Sequence, residues 1–186
     1  MNEILVSVII PAYNSAERIP LALDSALAQD VPLEIIVVND CSKDNLDEVM
    51  AQYLQHPEIH YVKNEQNLGV AATRNKGVAL ARGAYIAFLD SDDCWEKGKL
   101  KKQLALMEET GTVICSTARE LMTPDGSLTG HIIPVKTAYT YRDLLRHNPI
   151  NCSSVLIKTE VARQFPMHHD DAHEDYIMWM EVLKAY

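Results

Sequence analysis

Tyr85-Ile86-Ala87-Phe88-Leu89-Asp90-Ser91-Asp92-Asp93 begins apolar and ends with three carboxylates inside four residues. Five apolar residues in a row predict a strand buried on both faces, as in a parallel sheet covered by helices. Three carboxylates this close repel one another, so a folded site must hold a cation there or neutralise one of them. All-oxygen donors suit Mg2+ or Mn2+, which keep waters and take further oxygens from phosphates. The structural alternative is a helix start using acids to complement its dipole. The metal is favoured over it.

Working outward, Ile4 to Ile10 is a second apolar, β-branched strand, and Pro11, with no amide to donate, is expected to end its pairing. Ser15 to Gln29 shows helical spacing with Ser15 as the expected N-cap. Leu33 to Val38 predicts a strand closing on Asn39-Asp40, Asp44 to Gln55 a helix, and Ile59 to Val62 a short strand. Leu68 to Ala81 predicts a small-residue helix that Gly83 would cap, and Lys99 to Glu109 an amphipathic one. The alternation gives an α/β class: a Rossmann-like three-layer α/β/α sandwich around a mostly parallel sheet. After Gly111 the pattern changes. Thr112 to Met122 and Leu128 to Val135 flank the turn signature Pro124-Asp125-Gly126, which predicts a hairpin. Tyr141 to His147 predicts a helix and Cys152 to Lys158 a strand, so the C-terminal half is expected to be partly antiparallel.

The chain of 186 residues has room for one sizeable core. It is expected to form a single domain over residues 1–186, with a nucleotide-binding half of about 1–110 and an acceptor-side half of about 111–186. A formal net charge of -9 argues against a nucleic-acid partner, which would favour a basic face. Cys41, Cys94, Cys115 and Cys152 form no CxxC pair, which favours reduced thiols in a cytoplasmic protein over a disulfide framework or zinc knuckle. No apolar run approaches the roughly 20 residues of a membrane helix, and no export signal is expected. Peripheral attachment at the inner membrane face stays open.

In open parallel sheets, ligands bind beyond the carboxyl ends of the strands. Pro11-Ala12-Tyr13-Asn14, Asn39-Asp40 and the acidic run all fall there. Each alone is as well explained by turns and caps. All three at one edge point to a site. No glycine-rich turn follows the first strand, so P-loop and dinucleotide sites are excluded and phosphate must be handled by metal and side chains. Arg74 is a candidate diphosphate contact, its alternative being a surface arginine.

Four motifs stand in order: Pro11-Ala12-Tyr13-Asn14, then Val38-Asn39-Asp40-Cys41-Ser42-Lys43-Asp44, then Asn67-Leu68-Gly69-Val70-Ala71-Ala72-Thr73-Arg74-Asn75-Lys76-Gly77, then Gly83 to Asp93. This order and spacing resembles the family 2 glycosyltransferases of the GT-A fold, over nearly the whole chain. The resemblance implies an inverting transferase moving a sugar from a nucleoside-diphosphate sugar, with UDP favoured, to an acceptor hydroxyl. It places Pro11, Tyr13 and Asn14 around the base and Asp40 on it. Where that family usually has an aspartate, Asn39 stands. Glu17 and Arg74 match positions facing the nucleotide. Asp90 and Asp92 would lie near ribose and sugar, with Asp92 and Asp93 as metal ligands for Mn2+ or Mg2+. His173-Glu174-Asp175 resembles the acidic pair that precedes an aromatic-bearing helix, which makes Asp175 the implied general base. The implied acceptor is a saccharide or lipid-linked saccharide, in bacterial surface polysaccharide or lipopolysaccharide synthesis. Family members usually continue beyond a point like Tyr186, so a truncated C-terminus is expected.

Two rival functions compete with this. A sugar-nucleotide nucleotidyltransferase would carry a glycine-rich basic loop between Pro11 and Arg18, and none is there. A non-catalytic nucleotide-sugar-binding module would lack Asp93 or Asp175, and both are present; only Asn39 leans that way. His168-His169-Asp170-Asp171-Ala172-His173 has the composition of a zinc site, although a polar loop near the acceptor is the expectation. Trp95 suits either a sugar platform or a core anchor. Cys41 and Cys94 lack a base partner that would make them nucleophiles.

Overall fold

The computed structural model describes residues 4–123, 126–168 and 173–186. All seven residues of the first strand, β1 (Val6–Ala12), are buried. The chain then alternates through α1 (Ile19–Leu27), β2 (Leu33–Asn39), α2 (Leu46–Tyr53), β3 (Ile59–Lys63), α3 (Val70–Leu80), β4 (Tyr85–Phe88) and α4 (Lys99–Thr110). A short β5 (Ile114–Cys115) precedes a hairpin of β6 (Arg119–Met122) and β7 (Leu128–Ile133). Then come α5 (Tyr141–Leu144), a 3-10 turn (Cys152–Ser154), β8 (Leu156–Lys158), α6 (Thr159–Gln164) and α7 (Glu174–Ala185).

Six strands make one sheet in the order β3-β2-β1-β4-β8-β5. β1 runs parallel to β2 and β4, and β2 to β3. β8 is antiparallel to both β4 and β5. Because successive side chains of a strand point to opposite faces, β1 divides its residues between two cores. Val6, Val8 and Ile10 pack with Ile19, Leu23, Met50, Leu100 and Met107 from α1, α2 and α4. Ile9 packs on the other face with Phe88, Val78, Val161, Trp179 and Val182, bringing in α3, α6 and α7. This is the three-layer α/β/α arrangement, and it explains why these strands read as continuous apolar runs rather than alternating ones.

The structure corrects several local expectations. β1 does not stop at Pro11: Pro11 pairs in register with Val38 and Ala12 with Asn39. The Ile9 carbonyl accepts from the Leu89 amide on the β4 side. Pro11, two residues on, faces that same side past the last β4 pair, so its missing amide breaks no ladder bond. Ser15 is not a side-chain cap. Its carbonyl accepts from the amides of Arg18 and Ile19, and its hydroxyl is buried without a partner among the described residues. Gly83 does not cap α3, which ends at Ala81 in extended backbone. Gly83 instead lies on the β1 backbone, where a Cβ would meet the Ser7 nitrogen at 2.7 Å.

Cys152 to Lys158 is not one strand, since Cys152–Ser154 coil into the 3-10 turn and only Leu156–Lys158 pair. The hairpin forms as expected from β6 and β7. Pro124 and Asp125 of its turn lie outside the described residues. At the amino end of the strands, Ser7 Oγ donates to the buried Glu34 carboxylate at 2.6 Å, and Arg82 donates to it from its amide and Nε at 2.7 and 2.8 Å. Burial pushes the Glu34 carboxyl up, but these bonds outweigh it and hold the group below its ordinary value. That cluster closes the edge opposite the candidate site.

Candidate functional site

A pocket of about 310 Å³ opens at the carboxyl edge of the sheet. Pro11, Ala12 and Tyr13 from the end of β1 line it, with Asp40 after β2, Asn67 to Arg74 at the start of α3, and Asp90, Ser91 and Asp92 after β4. Its position follows from parallel strands that all end on one side. Among the described residues, the three non-glycine residues with left-handed backbone all stand in loops that lead away from strand ends or into α7. Asn14 (φ 50°) follows β1, Cys41 (φ 62°) follows β2, and His173 (φ 56°) leads into α7. Backbone of this kind persists where surrounding contacts over-determine it, and it gathers at binding sites.

Asp40 is buried and pins the entry to α3. Its Oδ1 accepts from Asn64 Nδ2 at 2.7 Å and the Leu68 amide at 2.8 Å, and its Oδ2 accepts from the Gly69 amide at 2.9 Å. A carboxylate offers about four acceptor positions. Among the described residues these three are taken, which leaves one on Oδ2 for a ligand in the pocket that Asp40 lines. Asn39 is not part of this wall: its side chain donates to Tyr61 Oη at 2.6 Å and accepts from the Ser42 amide at 2.8 Å. Asn39 therefore sets no carboxylate or amide against a bound base, whatever its resemblance to the usual aspartate suggests.

Arg74 is not a surface arginine: it lines the pocket from beneath. Its side chain is 5% exposed, and it forks between Asp90, at 2.5 Å, and Glu174. One guanidinium thus joins the acidic run after β4 to the first turn of α7. Its Nε is buried with no partner among the described residues. Asp90 is further fixed through its amide, which donates to Ser153 Oγ at 3.0 Å. Ser153 Oγ also bonds the Asp93 side chain, and its carbonyl accepts from Trp95 Nε1 at 2.7 Å. Trp95 is accordingly a core anchor under the acidic run.

Each acid has its own counter-charge. Asp90 has Arg74, Asp93 feels Arg119, and Asp92, on the pocket wall, pairs with Arg18 at 3.5 Å. Burial and the neighbouring Asp90 and Asp92 push the Asp93 carboxyl up despite its bond from Ser153. Asp93 does not line the pocket, whereas Asp92 does, with 55% of its side chain exposed. Among the described residues no three ligating side chains gather into a metal cage. An octahedral Mg2+ or Mn2+ needs only one or two carboxylates when phosphate oxygens and water complete its shell. The half-exposed Asp92, with Asp93 one residue on, fits that donor set.

Asp175 stands at the first turn of α7 beside Glu174, its Oδ1 accepting from the Tyr176 amide at 2.7 Å. Burial raises its pKa, and the charges of Glu174 and Asp90 add to this, with Arg74 opposing. A carboxylate tuned upward suits a general base. Tyr13 lies at the mouth, 49% exposed, with a ring face available. Besides Asp93, three expected residues do not line the pocket: Asn14 holds the loop after β2 through the Lys43 amide at 2.7 Å, Glu17 is exposed outside it, and Asp175 lies behind it in the field of Arg74 and Asp90. Sequence reasoning missed Arg18, Asn67, Thr73, Glu174 and Ser153. Asn67, Thr73 and Glu174 stood inside motifs the sequence displays, whereas Arg18 and Ser153 carried no local signal. Residues 169–172 of the histidine-rich segment lie outside the described residues.

No helix among the described residues is long and apolar enough to cross a membrane. The family model Glycosyl transferase family 2 matches residues 7–158. TuaG of Bacillus subtilis (strain 168), named for teichuronic acid biosynthesis, is 40% identical over 97% of this chain and 72% of its own. The Escherichia coli UDP-Glc:alpha-D-GlcNAc-diphosphoundecaprenol beta-1,3-glucosyltransferase WfaP is 33% identical over 96% of this chain and 70% of its own. Among solved structures, S. aureus TarS 1-349 in complex with UDP-GlcNAc superposes with a TM-score of 0.78 at 24% identity, covering 97% of this chain and 53% of that one. The Pyrobaculum calidifontis mannosyltransferase PcManGT, solved with GDP-Man and Mn2+, superposes with a TM-score of 0.72 at 20% identity over 95% of this chain and 51% of its own. Both structural likenesses establish the GT-A fold. With the motifs, the sheet order and the family match in agreement, this chain belongs to glycosyltransferase family 2.

Proposed function

We propose that the chain binds a UDP-sugar in the pocket at the carboxyl edge of the sheet and transfers the sugar, with inversion, to an acceptor hydroxyl. The observation that carries this is the meeting in one pocket of Tyr13, Asp40 and the half-exposed Asp92, with Arg74 joining the acidic run to the first turn of α7, where Asp175 stands. Tyr13 stacks on the base. The remaining Asp40 lone pair accepts the one N–H that uracil presents, with Pro11 packing alongside. Asp90 faces the ribose and sugar, held in place by Arg74.

Asp92, with Asp93, would hold Mg2+ or Mn2+ against the diphosphate; bound there, the ion stabilises the charge that grows on the departing nucleotide. Inversion requires a base on the face of the sugar opposite the leaving group. Asp175 takes the proton of the acceptor hydroxyl as its oxygen attacks the anomeric carbon. UDP-Glc in the name of WfaP and UDP-GlcNAc in the TarS complex support a UDP-sugar donor. The lipid-linked saccharide in the name of WfaP supports a saccharide or lipid-linked acceptor, and teichuronic acid in the name of TuaG supports surface polysaccharide synthesis; such an acceptor would be reached by peripheral association with the inner membrane face. The test is calorimetric titration of UDP, GDP and CDP with Mn2+ and then with chelator. Selective, metal-dependent UDP binding is the expected result. Equal binding of all three removes Asp40 from the base pocket, and no binding removes the donor site.

A further inference from the structure

We infer that Arg18 is an exchangeable counter-ion of Asp92, displaced by the divalent cation and then turned onto the donor's diphosphate. This rests on the proposed donor site. Three carboxylates crowd the end of β4, and the structure ranks how firmly each is held. Asp90 is bound at 2.5 Å by an arginine that is 5% exposed, and its amide is tied to Ser153. Asp93 is largely removed from water and bonded to the Ser153 hydroxyl. Among the described residues Asp92 is paired with Arg18 alone, at 3.5 Å, with the side chains of Arg18 and Asp92 56% and 55% exposed.

A pair of that kind is weak and easily exchanged. Asp92 is therefore the acid whose partner a cation replaces at least cost. Arg18 itself is placed by the backbone: its amide donates to the Ser15 carbonyl at 3.0 Å in the turn just before α1. The guanidinium, once released, stays within reach of Asp92 on the wall of a pocket that must receive two phosphates. A planar fork of donors is suited to phosphate oxygens.

The prediction is a pair of opposite effects in Arg18→Ala. Binding of Mn2+ alone, read from the loss of free Mn2+ signal by electron paramagnetic resonance, should tighten about two- to five-fold because a competitor for Asp92 is gone. Binding of UDP at saturating Mn2+ should weaken on the order of ten-fold because a charged donor to phosphate is gone. Arg18→Lys should lie between wild type and Arg18→Ala in both assays. In an Asp92→Asn background, Arg18→Ala should leave Mn2+ binding unchanged. A merely structural residue would weaken both bindings together, and that result, or no change in either, overturns the inference. If wild type fails to bind UDP at all, the donor-site proposal falls, while the Mn2+ arm still decides whether Arg18 and the cation compete.

Discussion

Replacing Arg74 with alanine removes the one cation that serves two carboxylates. The Asp90 side chain is 29% exposed and Glu174 12%, so neither is well placed to recover its hydration. Breaking a buried ion pair from one side costs about 3–5 kcal/mol, mostly as the uncompensated charge left behind. For a chain of this size each kcal/mol lowers Tm by about 2–4 °C, so Arg74→Ala is expected to melt roughly 6–20 °C below wild type. Arg74→Lys is expected to fall between, because one ammonium cannot span both carboxylates as a fork does. The combined Arg74→Met, Glu174→Gln variant should recover part of the loss, since it leaves a neutral contact in place of an orphaned charge. The assay is thermal unfolding followed by circular dichroism, with UDP titration well below each variant's Tm. A variant Arg74→Ala that melts within about 2 °C of wild type yet loses UDP binding would refute this reasoning and make Arg74 a direct diphosphate ligand.

Asp175→Asn should retain UDP affinity and lose transfer; retained transfer would assign the base elsewhere. Because burial raises the Asp175 pKa, wild-type transfer should fall on the acid side at a higher pH than an ordinary aspartate would set, as the base takes up its proton. Lys99 offers a pH test of stability away from the site. Burial pulls its pKa down to about 7, so between pH 7 and 10 the unfolded chain binds a proton that the folded chain does not. Wild-type stability to urea should therefore rise with pH across that window relative to Lys99→Met, and parallel profiles would show a charged lysine over the Trp95 ring instead. Gly83→Ala should lower the urea midpoint by the equivalent of about 1–3 kcal/mol, because its methyl would meet β1 backbone that cannot yield.

What could be read from the sequence was what is local and periodic. The apolar runs gave β1, β2 and β4, and the position of Asp40 and Asp90 to Asp92 at strand ends placed the pocket. What escaped was long-range. Arg74 meets Glu174, 100 residues away, and Ser153 meets Asp90 across 63, and neither pairing leaves a spacing in the chain. The apolar stretch after Cys152 hid a 3-10 turn because Ser153 and Ser154 are buried by their bonding rather than by hydrophobicity. Asn39 looked like a pocket residue by its neighbour, yet alternation turns its side chain to Tyr61. Pro11 was misjudged because the cost of a missing amide depends on which side has a partner strand.

The place of β8 bears on how the chain is made. β4 has β1 on one side and β8 on the other, and Tyr85 pairs with Lys158, which is synthesised 73 residues later. At about 5–20 residues per second, a ribosome takes roughly 4–15 s to supply that partner. Through that interval the emerging chain carries a hydrophobic strand with one edge bare, the kind of surface that recruits chaperones or sticks to another copy. Ser153 arrives just ahead of β8, so the anchor of the acidic run and the strand that seals the sheet reach the nascent fold together. A nascent chain should gain nucleotide binding and resistance to aggregation at the same point of its synthesis.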